Sequence, residues 1–222
     1  TQASAVGANR IQAYTLLGEP MYLENGKENP KWTAFMNQFT YEELALHGQR
    51  GSCSTPAVAS VGLPKTDDKD GPAQMGSGWT WTCEVVISST WNLELAYEQG
   101  LQNGYESMLQ NVNGWYGPAA NNHRNPLSGR NFEYYSQDGV QGGLMCAAIV
   151  KGATDLGVHV YLKHAFMNDQ ETQRYGMATF ATEQALRLIY SKPWELAIRL
   201  GNLNGTMSAF NNIGNASSSS YA

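Results

Sequence analysis

The sequence predicts an α/β fold of parallel βα units, and three observations predict it. Short apolar, β-branched runs alternate with helical periodicities, as where GVHVYLKHAF is followed by a helical pattern through Ala181, Ala185, Leu188 and Ile189. Polar loops follow the strands. Only 15% of residues are charged, while 11% are aromatic and 23 are glycine, a composition that suits close packing rather than disorder. At 222 residues the chain is long enough for one domain with a sizeable core, or for a large part of a bigger one.

Residues 1–28 show weak periodicity, end in the polar run ENGKENP and read as an N-terminal extension or linker, with the domain proper over 29–222. From Pro30, Trp32, Phe35, Met36 and Phe39 recur at helical spacing. Thr40 then offers an N-cap, with Glu43 as its capping-box partner, for a second helix toward His47. STPAVASVGLP reads as a short strand bounded by prolines, and TDDKDGPAQ as a polar loop with a turn at Asp70-Gly71-Pro72. Residues 92–112 give the clearest long helix, with Leu93, Tyr97, Leu101, Tyr105 and Met108 on one face. WYGPAAN is a brief strand entering the loop NNHRNPLSGRNFEYYSQD, and residues 140–153 are helical again. After the strand GVHVYLKHAF, the next helix must end near Lys192 because proline follows. Pro193 opens another helix that Gly201 closes. TMSAF is a last short strand, and NASSSSYA a low-complexity polar tail.

Several classes are argued against. The net charge is −5 without basic blocks, so nucleic acid is not an expected partner. No run of about eighteen apolar residues offers a membrane span. The opening TQASAVGANRIQAY lacks a basic segment followed by an apolar one, as a signal peptide requires. Cys53, Cys83 and Cys146 are odd in number without metal-type spacing, and read as reduced small hydrophobes in or near a core. A cytoplasmic chain is the expectation; the sequons at Asn204 and Asn215 matter only for a protein secreted by a eukaryote. No cofactor is implied, since no Walker-type phosphate loop occurs, and no HExxH pattern suggests a metal.

In parallel βα folds the chemistry gathers at the carboxyl ends of the strands. There lie TDDKDGPAQ, NNHRNPLSGRNFEYYSQD, KHAFMNDQE and the segment after TMSAF. They offer Asp70, Arg130, Lys163 and His164 to pair with hydroxyls, and Trp79, Trp81, Tyr134 and Tyr135 as flat apolar faces. A sugar has hydroxyls around its rim and C–H faces above and below, so this set suits a saccharide. The same residues have plainer readings. Asp70 in Asp-Gly-Pro is a turn former, Arg130 beside Glu133 an ordinary ion pair, and the paired tyrosines core packing. His159 and His164, five apart on a strand, face opposite sides and share no metal. No G-x-S-x-G supports a serine nucleophile.

The run WYGPAANNHRNPLSGRNFEYYSQDGVQGG resembles the family 3 glycoside hydrolases, the β-glucosidase family. KDGPAQ, STWNLELA, VYLKHAFMNDQETQR and TEQALRLIYSKPWELA fall in that family's order, and TMSAFNNIG is similar to its Met-Ser-Ser-Tyr-Asn strand end. The finer detail is most similar to bacterial members whose barrel follows the other domains. The resemblance implies an α/β, TIM-like (β/α)8 barrel, here incomplete, and hydrolysis of terminal β-D-glucosyl residues with retention. It matches Asp70 to the aspartate gripping hydroxyls of the −1 sugar, and Arg130 and the Lys163-His164 pair to residues serving the same sugar. Phe210 stands where the family usually places a tyrosine, with Met207 before it at the expected distance. Glu133 is then read as the holder of Arg130, and the rings as the wall of the loop. Members acting on N-acetylglucosamine often carry a His-x-x-Gly-His-Gly-like segment, absent here, which favours a glucosidase or xylosidase type.

Retaining hydrolysis needs two carboxyl groups about 5 Å apart. The resemblance places both beyond residue 222, so no catalytic residue is expected within this chain. The alternatives are a non-catalytic carbohydrate-binding remnant, or one subunit of a split enzyme. In each case an open parallel sheet needs the remainder of the enzyme, a second copy or another chain to complete it. Finally, Lys163 and His164 are adjacent yet matched to one sugar, whereas neighbours on a regular strand diverge. That predicts distorted backbone there, such as a cis non-proline peptide.

Overall fold

The computed structural model describes residue 11 and residues 13–220. The chain divides after Asp67 into two compact units.

In the first unit, α1 (Pro30–Met36) starts where Asn29 accepts a hydrogen bond from the Lys31 amide and proline takes the first helical position. α2 (Tyr41–Gln49) carries the full capping box read from the sequence, Thr40 and Glu43 each satisfying the other's amide. Phe35 and Leu16 pack with Val58 and Val61, flanked by Trp32, Phe39 and Leu63. The run assigned to an extension belongs to this unit where it is described: Trp32 Nε1 donates to the Glu19 carbonyl at 2.9 Å, and Tyr22 bridges Glu28. Of STPAVASVGLP only β1 (Ser54–Thr55) is a strand, Val58 bridges Leu63, and Ala59–Val61 between them coil into a 3-10 turn. Cys53 is exposed rather than in a core.

The second unit is built on four parallel strands. β2 (Thr66–Asp70) pairs with β3 (Gly114–Tyr116), β3 with β4 (His159–Ala165), and β4 with β6 (Gly205–Ser208). β2 corrects the reading of TDDKDGPAQ as loop: TDDKD has poor strand propensity, but the ladder with β3 from Asp68 to Asp70 overrides it. Against the sheet lie α3 (Glu84–Ser89), α4 (Leu93–Gln110), α5 (Gly139–Asp155) and, after the single turn α6 (Glu183–Ala185) and a π-helical turn at Leu186–Tyr190, α7 (Lys192–Gly201). The result is a half-barrel, whose core joins Trp115, Val160 and Leu162 of the strands to Ile149, Val150 and Trp194 of the helices.

The apolar stripe read on α4 is not its buried face. Leu93, Tyr105 and Met108 are exposed, and Ala96, Gly100, Asn103 and Gly104 are buried. The helix is held by close approach: a Cβ on Gly100 would lie 2.1 Å from the Ile149 carbonyl oxygen of α5, and one on Gly152 would lie 2.3 Å from that of Tyr97. The serine-rich tail is also structured. β5 (Ala178–Thr179) pairs with β7 (Asn212–Ile213), which pairs with β8 (Ala216–Ser217), and the Ser218 hydroxyl donates to the Ala209 carbonyl at 2.5 Å.

Candidate saccharide site at the strand ends

Asp70 closes β2, and the chain turns at once. Gly71 has φ +128, and a Cβ there would lie 1.7 Å from the Gln74 carbonyl oxygen, so only glycine fits. Asp70 thus forms the expected turn, its Oδ1 accepting the Gly71 amide at 2.8 Å. The same oxygen accepts Lys163 Nζ at 2.5 Å from β4, across the end of β3. The pair is asymmetric: the lysine side chain is 2% exposed and the aspartate 70%. A dry ammonium therefore holds a carboxylate that faces solvent.

Lys163 and His164 are fixed from the extension of β3. The Lys163 carbonyl accepts the Ala120 amide at 2.7 Å, and the Lys163 amide donates to the Pro118 carbonyl. Asn121, buried, brackets the next residue: its Nδ2 donates to the His164 carbonyl and its Oδ1 accepts the His164 amide, both at 2.9 Å. The Lys163–His164 peptide is cis, as the two neighbouring side chains led us to expect, and so is Ala165–Phe166. Burial, with the Arg130, Lys163 and Arg174 cations nearby, pulls the His164 pKa down to about 2. The imidazole is therefore neutral and presents one donor and one acceptor.

Arg130 lies before the 3-10 turn Asn131–Glu133, and its Nε donates to Glu133 in a short ion pair. Burial is the largest single effect and disfavours the guanidinium charge, but the Glu133 hydrogen bond together with the charges of Glu133 and Glu171 and the Tyr134 hydroxyl raises the Arg130 pKa. Glu171 lies 3.9 Å from Arg130 and pairs with Arg174 at 2.8 Å. Asn168 donates to Glu171 and to the Tyr134 hydroxyl, which lies 3.4 Å from His164 Nδ1. The Arg174 guanidinium covers the Phe210 ring at 4.7 Å, and Phe210 is half exposed. Met207 stands opposite Lys163 in the β4–β6 ladder.

Asp70, Arg130, Lys163, His164, Met207 and Phe210 thus belong to one connected set drawn from three strand ends and two loops. Asn121, Tyr134, Asn168, Glu171 and Arg174 complete it. The polar run NDQETQR after β4 was the available sequence signal for three of these five; nothing marked Asn121. A hollow of about 490 Å³ lies elsewhere, between Arg124, Asp169, Met177 and Phe180. None of the six residues lines it.

A mostly parallel half-barrel with charged groups converging at the carboxyl ends of its strands is a (β/α)-type domain. No family model matches the chain. It is 36% identical to β-glucosidase A of Butyrivibrio fibrisolvens over 179 residues, 74% of this chain and 22% of the relative. Its structure is similar to that of β-glucosidase 3B from Thermotoga neapolitana in complex with α-D-glucose, with a TM-score of 0.71 and 38% identity over 75% of this chain and 25% of that one. A glycoside hydrolase family 3 β-glucosidase of Bifidobacterium adolescentis gives a TM-score of 0.76 and 31% identity over 82% of this chain and 28% of that one. The chain belongs to the β-glucosidase-type family 3 glycoside hydrolases, and spans about a fifth of the length of its curated relative.

Proposed function

We propose that this chain supplies the glucose-gripping wall of a retaining β-glucosidase that hydrolyses terminal β-D-glucosyl residues. The observation that carries this reading is the Lys163–Asp70 pair, which joins two strand ends 93 residues apart and turns an exposed carboxylate outward. Asp70, Arg130 and neutral His164 offer acceptors and donors to ring hydroxyls, and Phe210 with Met207 a flat apolar floor. A bound α-D-glucose in the Thermotoga relative supports the ligand class.

The chemical step falls to carboxylates outside residues 1–222. A nucleophile and an acid/base must be free to attack and to donate. Here Asp70 holds Lys163, Glu133 holds Arg130, and Glu171 holds Arg174. These acids position cations. The remainder of the enzyme would bring the missing pair.

Calorimetry with glucose tests the wall, and a chromogenic β-glucoside tests the step. Binding that Arg130→Ala abolishes, with turnover only when the complementary portion is joined, is the expected result. Absence of glucose affinity in both forms overturns the reading. Affinity without turnover in the completed protein identifies a sugar-binding module instead.

A further inference from the structure

Behind this wall lies a carboxyl group that no part of the site uses. Glu84, the first residue of α3, is fully buried, and neither of its oxygens meets a partner of hydrogen-bond geometry. One helical turn on, the buried Ser88 hydroxyl is also unpartnered, as is the Tyr135 hydroxyl on the far side of the 131–133 turn. Such groups are rare in native interiors. α3 packs against that turn and against α5, where Gln141 donates to the Ser88 carbonyl at 3.1 Å. The charges that reach Glu84 are the two holding the sugar wall together: Glu133, partner of Arg130, and Lys163, partner of Asp70.

We propose that Glu84, in its protonated form, is a positioning residue that keeps Glu133 committed to Arg130 and Lys163 committed to Asp70, so that its ionisation withdraws affinity for the sugar. A neutral Glu84 adds no anion to the Glu133 and Glu171 carboxylates that already face Arg130. An ionised Glu84 adds a further negative charge in a dry interior, repelling Glu133 and drawing the Lys163 ammonium inward, away from Asp70. Burial supports the protonated state by raising the Glu84 pKa to about 8, against the opposing effects of its own amide and of Lys163.

Cys83, a free thiol at the cap of α3, adjoins Glu84, so the protein tested carries Cys83→Ser. The buried groups Tyr134, Tyr135, Cys146 and His164 do not change charge over the same range. α3 carries no other ionisable side chain. On the 131–135 segment, burial raises the Tyr134 and Tyr135 hydroxyls well above their ordinary value. On α5, burial raises the Cys146 thiol likewise, and on β4 His164 is neutral throughout.

The effect on sugar rests on the reading of the wall as a glucose site, so two readouts are followed together. One is glucose affinity by calorimetry from about pH 6.5 to about pH 9.5; the other is the Arg130 Nε–H signal by NMR. In the Cys83→Ser chain, affinity falls about tenfold across this range and the Arg130 signal titrates near the same midpoint. Glu84→Gln in that background, neutral at every pH, keeps near-neutral affinity at high pH and a static Arg130 signal. A pH-independent Arg130 signal in the Cys83→Ser chain, or the same titration after Glu84→Gln, overturns the proposal. No glucose binding at any pH sinks the saccharide reading, and the Arg130 titration then decides Glu84 alone.

Discussion

Glu133 and Glu84 sit on neighbouring elements, the 131–133 turn and the head of α3, and both are buried. Glu133 faces a guanidinium and serves as a carboxylate, whereas Glu84 faces unpartnered hydroxyls and an apolar core, and its pKa is raised to about 8. Burial is common to the two, so burial by itself does not decide ionisation. The partner does: a charge taken out of water persists only where a second charge meets it at good geometry. The first region trades solvation for an ion pair, the second for a proton.

The sharpest way to break this contrast is the pH dependence of stability. Glu84 titrates near 4.5 when unfolded and at about 8 in the fold. Between those values the native state holds a proton that the unfolded chain has released. The Glu84 contribution to stability therefore falls as pH rises from about 4.5 to about 8 and levels off above. His164, buried neutral, contributes the opposite slope up to about 6.5, so the net fall shows from about 6.5 to about 8. Glu84→Gln removes that slope, gaining on the order of 4 kcal/mol at pH 9 relative to pH 4.5. Urea unfolding at several pH values measures it, and parallel curves for the two proteins would refute the neutral assignment.

The next effect belongs to the paired region. Glu133→Ala strands the half-buried Arg130 cation and costs about 3 kcal/mol at pH 7. A cost within experimental error would mean that the pair is no stronger than a surface contact.

The smallest stability effect lies at the wet end. Asparagine keeps an acceptor for the dry Lys163 ammonium but removes its countercharge, so Asp70→Asn costs about 2 kcal/mol. On the proposed function it still weakens glucose by about tenfold or more, through the lost charge-assisted hydrogen bond. Large destabilisation with unchanged glucose binding would reverse the roles given to Asp70.

Legibility followed the range of the forces involved. The capping box of Thr40 and Glu43, the Pro193 start and Gly201 end of α7, and the apolar alternation of β4 are local, and the sequence showed each of them. β2 was hidden, because TDDKD enters a sheet only through its pairing with β3. The buried face of α4 was hidden too: a helix held by the approach of Gly100 and Gly152 shows no apolar stripe. Among site residues, Asp70, Arg130, Lys163 and His164 stood out as charged or polar groups in loops and strand ends. A glutamate at the start of a helix has an ordinary explanation, and nothing local tells Glu84 from Glu94.

The sequence by itself determined the long helices and β4, which residues carry charge to the strand ends, and the family to which the chain is similar. Only the tertiary structure decided that Lys163 reaches Asp70, that Arg130, Tyr134 and His164 join through Asn168 and Glu171, and that Glu84 lies dry behind them. The physical reason is that capping and periodicity act within a few residues. Desolvation and pairing depend on groups tens of residues away, which meet only when the chain has folded.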